Sequence, residues 1–140
     1  MKKQKGQKTM YNDDRFKFRF WHKSKNSYLN TEKLVLNDGT YTQVGTKQMN
    51  NGTYYSYIVN EYNTFEIIAE QCTGLKDSNN KLIYENDIVK NFNGDYYLVV
   101  CDTNSYLLKC KDGDKLLTDP DYLEVIGNIH EKTELLENVK

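Results

Sequence analysis

The chain has 140 residues, with 19 Lys and Arg, 20 Asp and Glu, and a formal net charge of -1 at pH 7. This balance excludes a strong overall attraction to nucleic acid or to an anionic membrane. No apolar run approaches the ~20 residues of a transmembrane helix. The N-terminus lacks the apolar core of a signal peptide, so we expect a cytoplasmic protein that does not associate with membranes. Twelve Tyr and five Phe, with a single Pro, favour strands over helices.

The first ten residues carry four Lys, no acid and almost no apolar surface. Such a segment cannot bury enough surface to order itself, so residues 1–10 are predicted to form a disordered basic tail. Lysines without arginine or aromatic neighbours contact phosphates only weakly, which favours a solvated tail over a nucleic-acid-binding arm.

Between residues 16 and 20, Phe alternates with basic side chains. This period of two predicts a strand with one buried aromatic face and one solvated basic face. The alternative interpretation is a surface that stacks nucleotide bases, with Lys17, Arg19 and Lys23 as its contacts. A strand with one face in the core is the commoner origin of such a stripe, so nucleic-acid binding is kept as the second choice.

The middle of the chain contains a predicted hairpin, followed by another predicted turn and strand. Residues 34–36 and 40–44 flank an Asn-Asp-Gly turn, and residues 53–59 follow an Asn-Asn-Gly turn. A group of tyrosines belongs to this region: Tyr54, Tyr55, Tyr57 and Tyr62. Clustered Tyr side chains can form a contact surface for another protein. They can also line the edge of a core with their hydroxyl groups in water, which is the interpretation we favour.

The central stretch, residues 65–90, combines a strand pattern with two polar turns. Apolar side chains alternate from Phe65 to Ala69, which predicts a strand with that face buried and Glu70 on the other face. Thr73-Gly74 then breaks the strand, and a Gly at such a point is typical of a bulge or a close backbone approach. Residues 76–81 and 85–87 are typical of two tight turns on either side of a core strand, residues 82–84. This structural interpretation requires no catalytic or ligand-binding role for the stretch.

Residues 73–89 resemble the signature of the YopX family, whose pattern runs roughly TGLKDKNGKEIYEGDIV. The identities are residues 73–77, 79, 81, 83–85 and 87–89. Asn80 and Asn86 stand where the family has Gly, and Asn is the residue that next best tolerates a left-handed backbone. The segment from Lys17 resembles the family's opening KFRAWD, and residues 124–136 resemble its closing EVIGNIYENPELL.

The resemblance implies a phage or prophage accessory protein with no known catalytic activity. It is expected to act by contact with a host protein, a phage protein or a second copy of itself. The resemblance also implies a structural role for the residues that carry the signature. These are Thr73, Gly74, Leu75, Asp77, Tyr84, Asp87, Gly127 and Asn128.

The strand and turn signals after residue 72 are short and evenly spaced, which is typical of a small antiparallel barrel. Their order is similar to that of SH3-like barrels. We therefore predict a mainly β fold in which an antiparallel N-terminal sheet, residues 11–71, packs on a C-terminal SH3-like barrel-type sheet, residues 72–140. This second part ends in a short helix, with Thr133 as its N-cap.

The three Cys and two His form no recognised catalytic or metal-binding motif. Cys72, Cys101 and Cys110 are odd in number and irregular in spacing, so they fit neither a disulfide framework nor a zinc site. A nucleophile paired with a base, Cys72 with His22 or His130, stays open as an alternative. No nucleophile elbow, phosphate loop or His-x-x-x-His pair is present. We therefore predict a protein without enzymatic activity, metal or cofactor.

Overall fold

The computed structural model describes residues 14–31, 33–103 and 105–139 of the chain. Within these residues the fold is mainly β, as predicted, with twelve strands and one short α-helix. They form two compact units, one of Phe18–Ala69 and one of residues 14–17 with 70–139. The basic tail expected for residues 1–10 lies outside the described residues. The division of the sequence into parts at residues 71 and 72 stays a prediction.

The strands follow one another along the chain with short connections. Those of the smaller unit are β1 Phe18–His22, β2 Ser27–Tyr28, β3 Val35–Asn37, β4 Thr40–Gln48 and β5 Tyr54–Asn63. Strand β6, Ile67–Lys76, begins in the smaller unit and ends in the larger one. The larger unit continues with β7 Leu82–Tyr84, β8 Asp87–Asn91, β9 Tyr96–Asp102, β10 Ser105–Lys109, β11 Lys115–Leu116, β12 Leu123–Asn128 and helix α1 Leu136–Val139.

The smaller unit contains an antiparallel sheet in the order β3-β4-β5, and a β1–β2 hairpin. The predicted turn at Asp38 and Gly39 joins β3 to β4. The register of β4 on β5 shifts between Gln43 and Val44, which leaves Val59 without a partner on β4 and forms a β-bulge.

Strand β1 does not have the simple aromatic face that the sequence predicts. Phe16 lies in a 3-10 helix before the strand and is 76% exposed. Phe20, Trp21 and His22 are all buried, because aromatic side chains of the same unit cover both faces of the strand at these positions. The Phe20 ring packs on that of Tyr41. The Trp21 ring meets the Tyr28 ring edge-on, and the His22 ring meets the Tyr62 ring edge-on.

Strand β6 corrects two further expectations. Phe65 is 82% exposed, and the alternation does not continue as predicted because Ala69 is exposed and Glu70 is fully buried. The strand also does not stop at Gly74. It continues to Lys76 past an irregularity in its pairing with β7, so the bulge is present and the predicted break is not.

The larger unit is built on a five-stranded antiparallel sheet in the order β11-β10-β9-β8-β12. The buried core residues on and around it are Ile83, Val89, Tyr97, Val99, Leu108, Leu117 and Leu123. Residues 96–101 are nearly continuous apolar, which predicts a deeply buried strand, but burial along the strand alternates instead. In β9, Tyr97 and Val99 are buried, while Leu98 and Val100 are half-buried on the opposite face.

Replacing Gly74 by Ala tests the close approach at this bulge. Gly74 has φ of 81°, and a Cβ there would overlap Cγ of Arg15. The matched control is Gly94→Ala, because Gly94 has φ of 88° and no atom within 4 Å of its Cβ position. We expect the control to lower the free energy of unfolding by about 1 kcal/mol, and Gly74→Ala by about 2–3 kcal/mol because Arg15 must also move. Equal losses in urea denaturation would contradict the contact.

Candidate functional site

The turn after β6 is closed by one buried carboxylate. Asp77 Oδ1 accepts hydrogen bonds from the backbone N–H groups of Asn79, at 2.9 Å, and Lys81, at 2.8 Å. Asp77 Oδ2 accepts a third, at 2.8 Å, from the N–H of Val125 in β12. The residue is 4% exposed. All three bonds serve the backbone, so Asp77 fixes the turn and attaches it to the last strand.

The second turn uses its side chains in the same way. Asp87 Oδ2 accepts a 2.7 Å hydrogen bond from the backbone N–H of Tyr84. Thr73 Oγ1 donates to the carbonyl of Ile83 at 2.8 Å and accepts from the N–H of Leu75 at 3.1 Å. The left-handed turn positions are both occupied by asparagine, as expected: φ is 65° at Asn80 and 72° at Asn86.

A carboxylate–imidazole pair lies beside this second turn. Glu70 is fully buried, and its Oε2 is 2.8 Å from Nε2 of His130. The same oxygen accepts a 2.6 Å hydrogen bond from the side-chain amide of Asn86. Asn128 Oδ1 accepts the backbone N–H of His130 at 3.0 Å and so positions the imidazole. This cluster is the most chemically distinctive arrangement in the larger unit.

No local pattern in the sequence indicates the Glu70–His130 pair. The strand pattern places Glu70 on the solvent face, and its partner is 60 residues away along the chain. His130 stands where the family pattern has Tyr, so the resemblance did not indicate it either. Only the pairing of distant strands brings the two side chains together.

The remaining signature positions also serve the fold. Leu75 packs against the core of the larger unit. A Cβ on Gly127 would lie 2.9 Å from Cδ1 of Leu135, so this Gly allows the 3-10 helix Thr133–Leu135 to approach β12. The cap of that helix is Lys132, which makes no side-chain cap bond; the predicted N-cap Thr133 is wrong by one residue.

The Cys72 thiol is directed at the backbone. Cys72 is fully buried, its Sγ donates to the carbonyl of Ile83 at 3.6 Å, and it accepts from the N–H of Gly74 at 3.4 Å. Burial raises the pKa of this thiol above its usual value, so little thiolate forms near neutral pH. These features disfavour Cys72 as a nucleophile.

Across residues 14–31, 33–103 and 105–139, no group of three His, Cys, Asp or Glu is placed to hold a metal ion.

The basic residues considered for nucleic-acid contact have local partners. In the larger unit, Lys17 Nζ is 3.1 Å from Oδ1 of Asp14. In the smaller unit, the Arg19 guanidinium lies over the ring of Tyr28, 4.8 Å from its centroid. Lys23 is exposed, and its backbone N–H donates to the carbonyl of Glu66.

The outer part of the three-stranded sheet exposes apolar side chains on both faces. Val44 lies opposite Ile58, and Val35 lies opposite Thr42, which puts Val35, Val44 and Ile58 on one face. Their exposures are 55%, 43% and 61%. We call this set the aliphatic face; no other described element covers it.

The opposite face of the same strands carries tyrosines. Tyr55 and Tyr57 are exposed, and their rings are 6.1 Å apart. The Tyr57 ring lies over Gly45, where a Cβ would be 2.6 Å from its Cζ. Tyr54 is 69% exposed, so three of the four clustered tyrosines reach solvent. The core-edge interpretation holds for Tyr62 alone, which is half-buried against His22.

The fold and these sites define a small, mainly β protein whose buried polar side chains are bonded to its own turns and strands. Comparison with known families identifies it further. The family model described as YopX protein matches residues 17–137. The chain belongs to the YopX family, which confirms the resemblance.

One solved structure gives an independent comparison. The crystal structure of protein EF1440 from Enterococcus faecalis matches with a TM-score of 0.63 and 26% sequence identity, over 86% of this chain and 96% of that chain. No curated protein matches the sequence. Among the described residues, no helix has the length and apolar character needed to cross a membrane.

A double-mutant cycle measures the Glu70–His130 pair. Because both side chains are buried, we expect Glu70→Gln and His130→Gln each to lower the free energy of unfolding by about 3 kcal/mol. The double variant should fall short of the sum by about 2 kcal/mol. The matched control is Glu66 with His22, which are 3.7 Å apart with the Glu66 side chain 47% exposed. That cycle should give a coupling of about 0.5 kcal/mol, and additive losses at Glu70 and His130 would contradict the pairing.

Alkylation rates test the assignment of the three thiols, all of which are free. With iodoacetamide at neutral pH, we expect the exposed Cys101 to react first and the half-buried Cys110 more slowly. Cys72 should react only when the chain is unfolded in urea, because its thiol is buried and its pKa is raised. Peptide mass spectrometry gives the order. Labelling of Cys72 as fast as Cys101 in the folded chain would refute its structural role.

Proposed function

We propose that this protein is a phage- or prophage-derived accessory protein that acts by protein–protein contact in the cytoplasm of a bacterial host. The observation that carries the proposal is the exposed sheet β3-β4-β5. The partner is a host or phage protein, and the contact surface is the aliphatic face together with Tyr54, which lies on the same face of β5 as Ile58.

The composition of this sheet supports a contact surface. An antiparallel sheet with one face in water usually carries polar side chains on that face. Here Val44 and Ile58 occupy it, and residues 54–60 of β5 contain no charged side chain. The centres of protein interfaces are depleted in charge and enriched in Tyr, which matches the composition of β5.

The larger unit is proposed to be an SH3-like barrel. Strands β8 to β11 form a meander in which each strand pairs with the next. The 3-10 helix Pro120–Tyr122 precedes β12, and β12 returns to pair with β8. This order of pairing is similar to that of SH3-like barrels. The barrel is then a scaffold, and the sheet of the smaller unit is the contact element.

Nucleic-acid binding through Lys17, Arg19 and Lys23 is the alternative function. The cation–aromatic contacts of Arg19 with Tyr28 and of Lys25 with Tyr62 favour it, because nucleic-acid surfaces combine these residue types. The near-neutral charge and the ion pair of Lys17 with Asp14 favour protein contact instead.

Affinity capture from a host lysate, with and without nuclease, tests the proposal. The test variant combines Val44→Lys and Ile58→Lys, which places two charges on the aliphatic face. The control is Leu116→Lys, an equally exposed apolar position at 56% in the other unit. We expect a captured protein to survive nuclease and the control, and to be lost with the test variant at an unchanged melting temperature. Loss on nuclease treatment would favour the alternative, and capture by the test variant would exclude this face.

A further inference from the structure

A cleft of about 410 Å³ lies in the larger unit, beside the C-terminal helix. Its lining residues come from β9, from β10 with the two residues after it, and from α1: Leu98, Lys109, Cys110, Lys111, Leu136 and Val139. The volume falls in the range of small-molecule sites, roughly 300–1,000 Å³.

The cleft has an apolar floor because of the strand register. Leu98 of β9 lies opposite Lys109 of β10, so both side chains are on the same face. That face is opposite to the one on which Tyr97 and Val99 enter the core. Helix α1 adds Leu136 and Val139, which are three residues apart and therefore on one side of the helix.

The end of the helix is held beside the sheet by a backbone contact. The N–H of Lys111 donates to the carbonyl of Val139 at 3.1 Å. This bond keeps the wall formed by α1 in place. Leu98 and Leu136 are nevertheless only half-buried, so their apolar surfaces are open to a ligand.

The charge at the cleft is of one sign. Lys109 and Lys111 are exposed, and neither is ion-paired within the part of the chain that the structure describes. The six lining residues include no carboxylate. The nearby Asp112 lines a smaller neighbouring hollow instead. Two cationic groups therefore stand beside an apolar floor.

We propose that this cleft binds a small amphipathic anion, a medium-chain acyl carboxylate. The acyl chain lies on the half-buried Leu98 and Leu136, beside the buried Val139, and the carboxylate is bound by Lys109 and Lys111. Such a ligand would displace water from the apolar floor with its acyl chain and pair its charge with the two lysines. The site is separate from the contact surface proposed above and does not depend on it.

Titration of the full chain with octanoate, followed by two-dimensional NMR, tests the proposal. Octylamine and octanol are the matched probes, because they have the same chain length with the opposite charge or none. We expect octanoate to shift the amide signals of Leu98, Lys109–Lys111 and Leu136–Val139, and to bind about tenfold more tightly than octylamine, since two surface charges favour one and oppose the other. Equal affinity for the two, or shifts confined to other residues, would overturn the proposal.

Variants separate the charge from the apolar floor. Lys109→Gln combined with Lys111→Gln should reduce octanoate binding to the level of octanol. The control combines Lys81→Gln and Lys90→Gln, which lie in the same unit outside the cleft, and should leave octanoate binding unchanged. Lys109→Glu with Lys111→Glu should reverse the preference toward octylamine. Lys109 and Lys111 are exposed, so the melting temperature of their variants should stay constant. Octanoate binding that is the same in all variants would refute the assignment.

Discussion

One buried carboxylate determines the geometry of the signature region. Asp77 accepts three backbone N–H groups, two from its own turn and one from β12, 48 residues further along the chain. The shape of the turn and the position of the last strand are therefore set by the same two oxygen atoms. Without the carboxylate, three partly buried donors would lose their partner, at up to about 1–3 kcal/mol each. The strands on either side of the turn depend on this one interaction.

Local patterns in the sequence predicted many of the strands and turns, although not the continuation of β6 past Gly74. They did not show which face of a strand is covered by other elements. The left-handed turns at Asn80 and Asn86 could be predicted, because tolerance of a left-handed backbone is a property of the asparagine residue itself. Glu70 could not be recognised as buried, since its partner His130 comes from a distant strand. The exposure of Phe65 and the burial of His22 have the same origin. A period of two gives the two faces of a strand, but neighbours in space decide which face is covered.

Several polar side chains of this protein are buried, while several aliphatic side chains are exposed. Buried acids and amides such as Asp87 and Asn128 bond to the backbone and hold the larger unit. Exposed aliphatic side chains such as Val44 and Ile58 remain available in the smaller unit. Among the described residues, these buried polar groups therefore contribute to the fold. The exposed apolar side chains of β4 and β5 lie where the sequence has the composition of an ordinary core strand.

The bulge at Val59 has a consequence for the behaviour of the chain at high concentration. Strand β5 is at the edge of its sheet, and its uncharged, tyrosine-rich and β-branched segment has the composition that promotes cross-β stacking. A bulge interrupts the regular row of backbone donors and acceptors along that edge and increases the local twist. A second strand can then align with only part of β5. We therefore expect the extra residue to hinder fibril growth along this edge while an apolar strand stays at the surface.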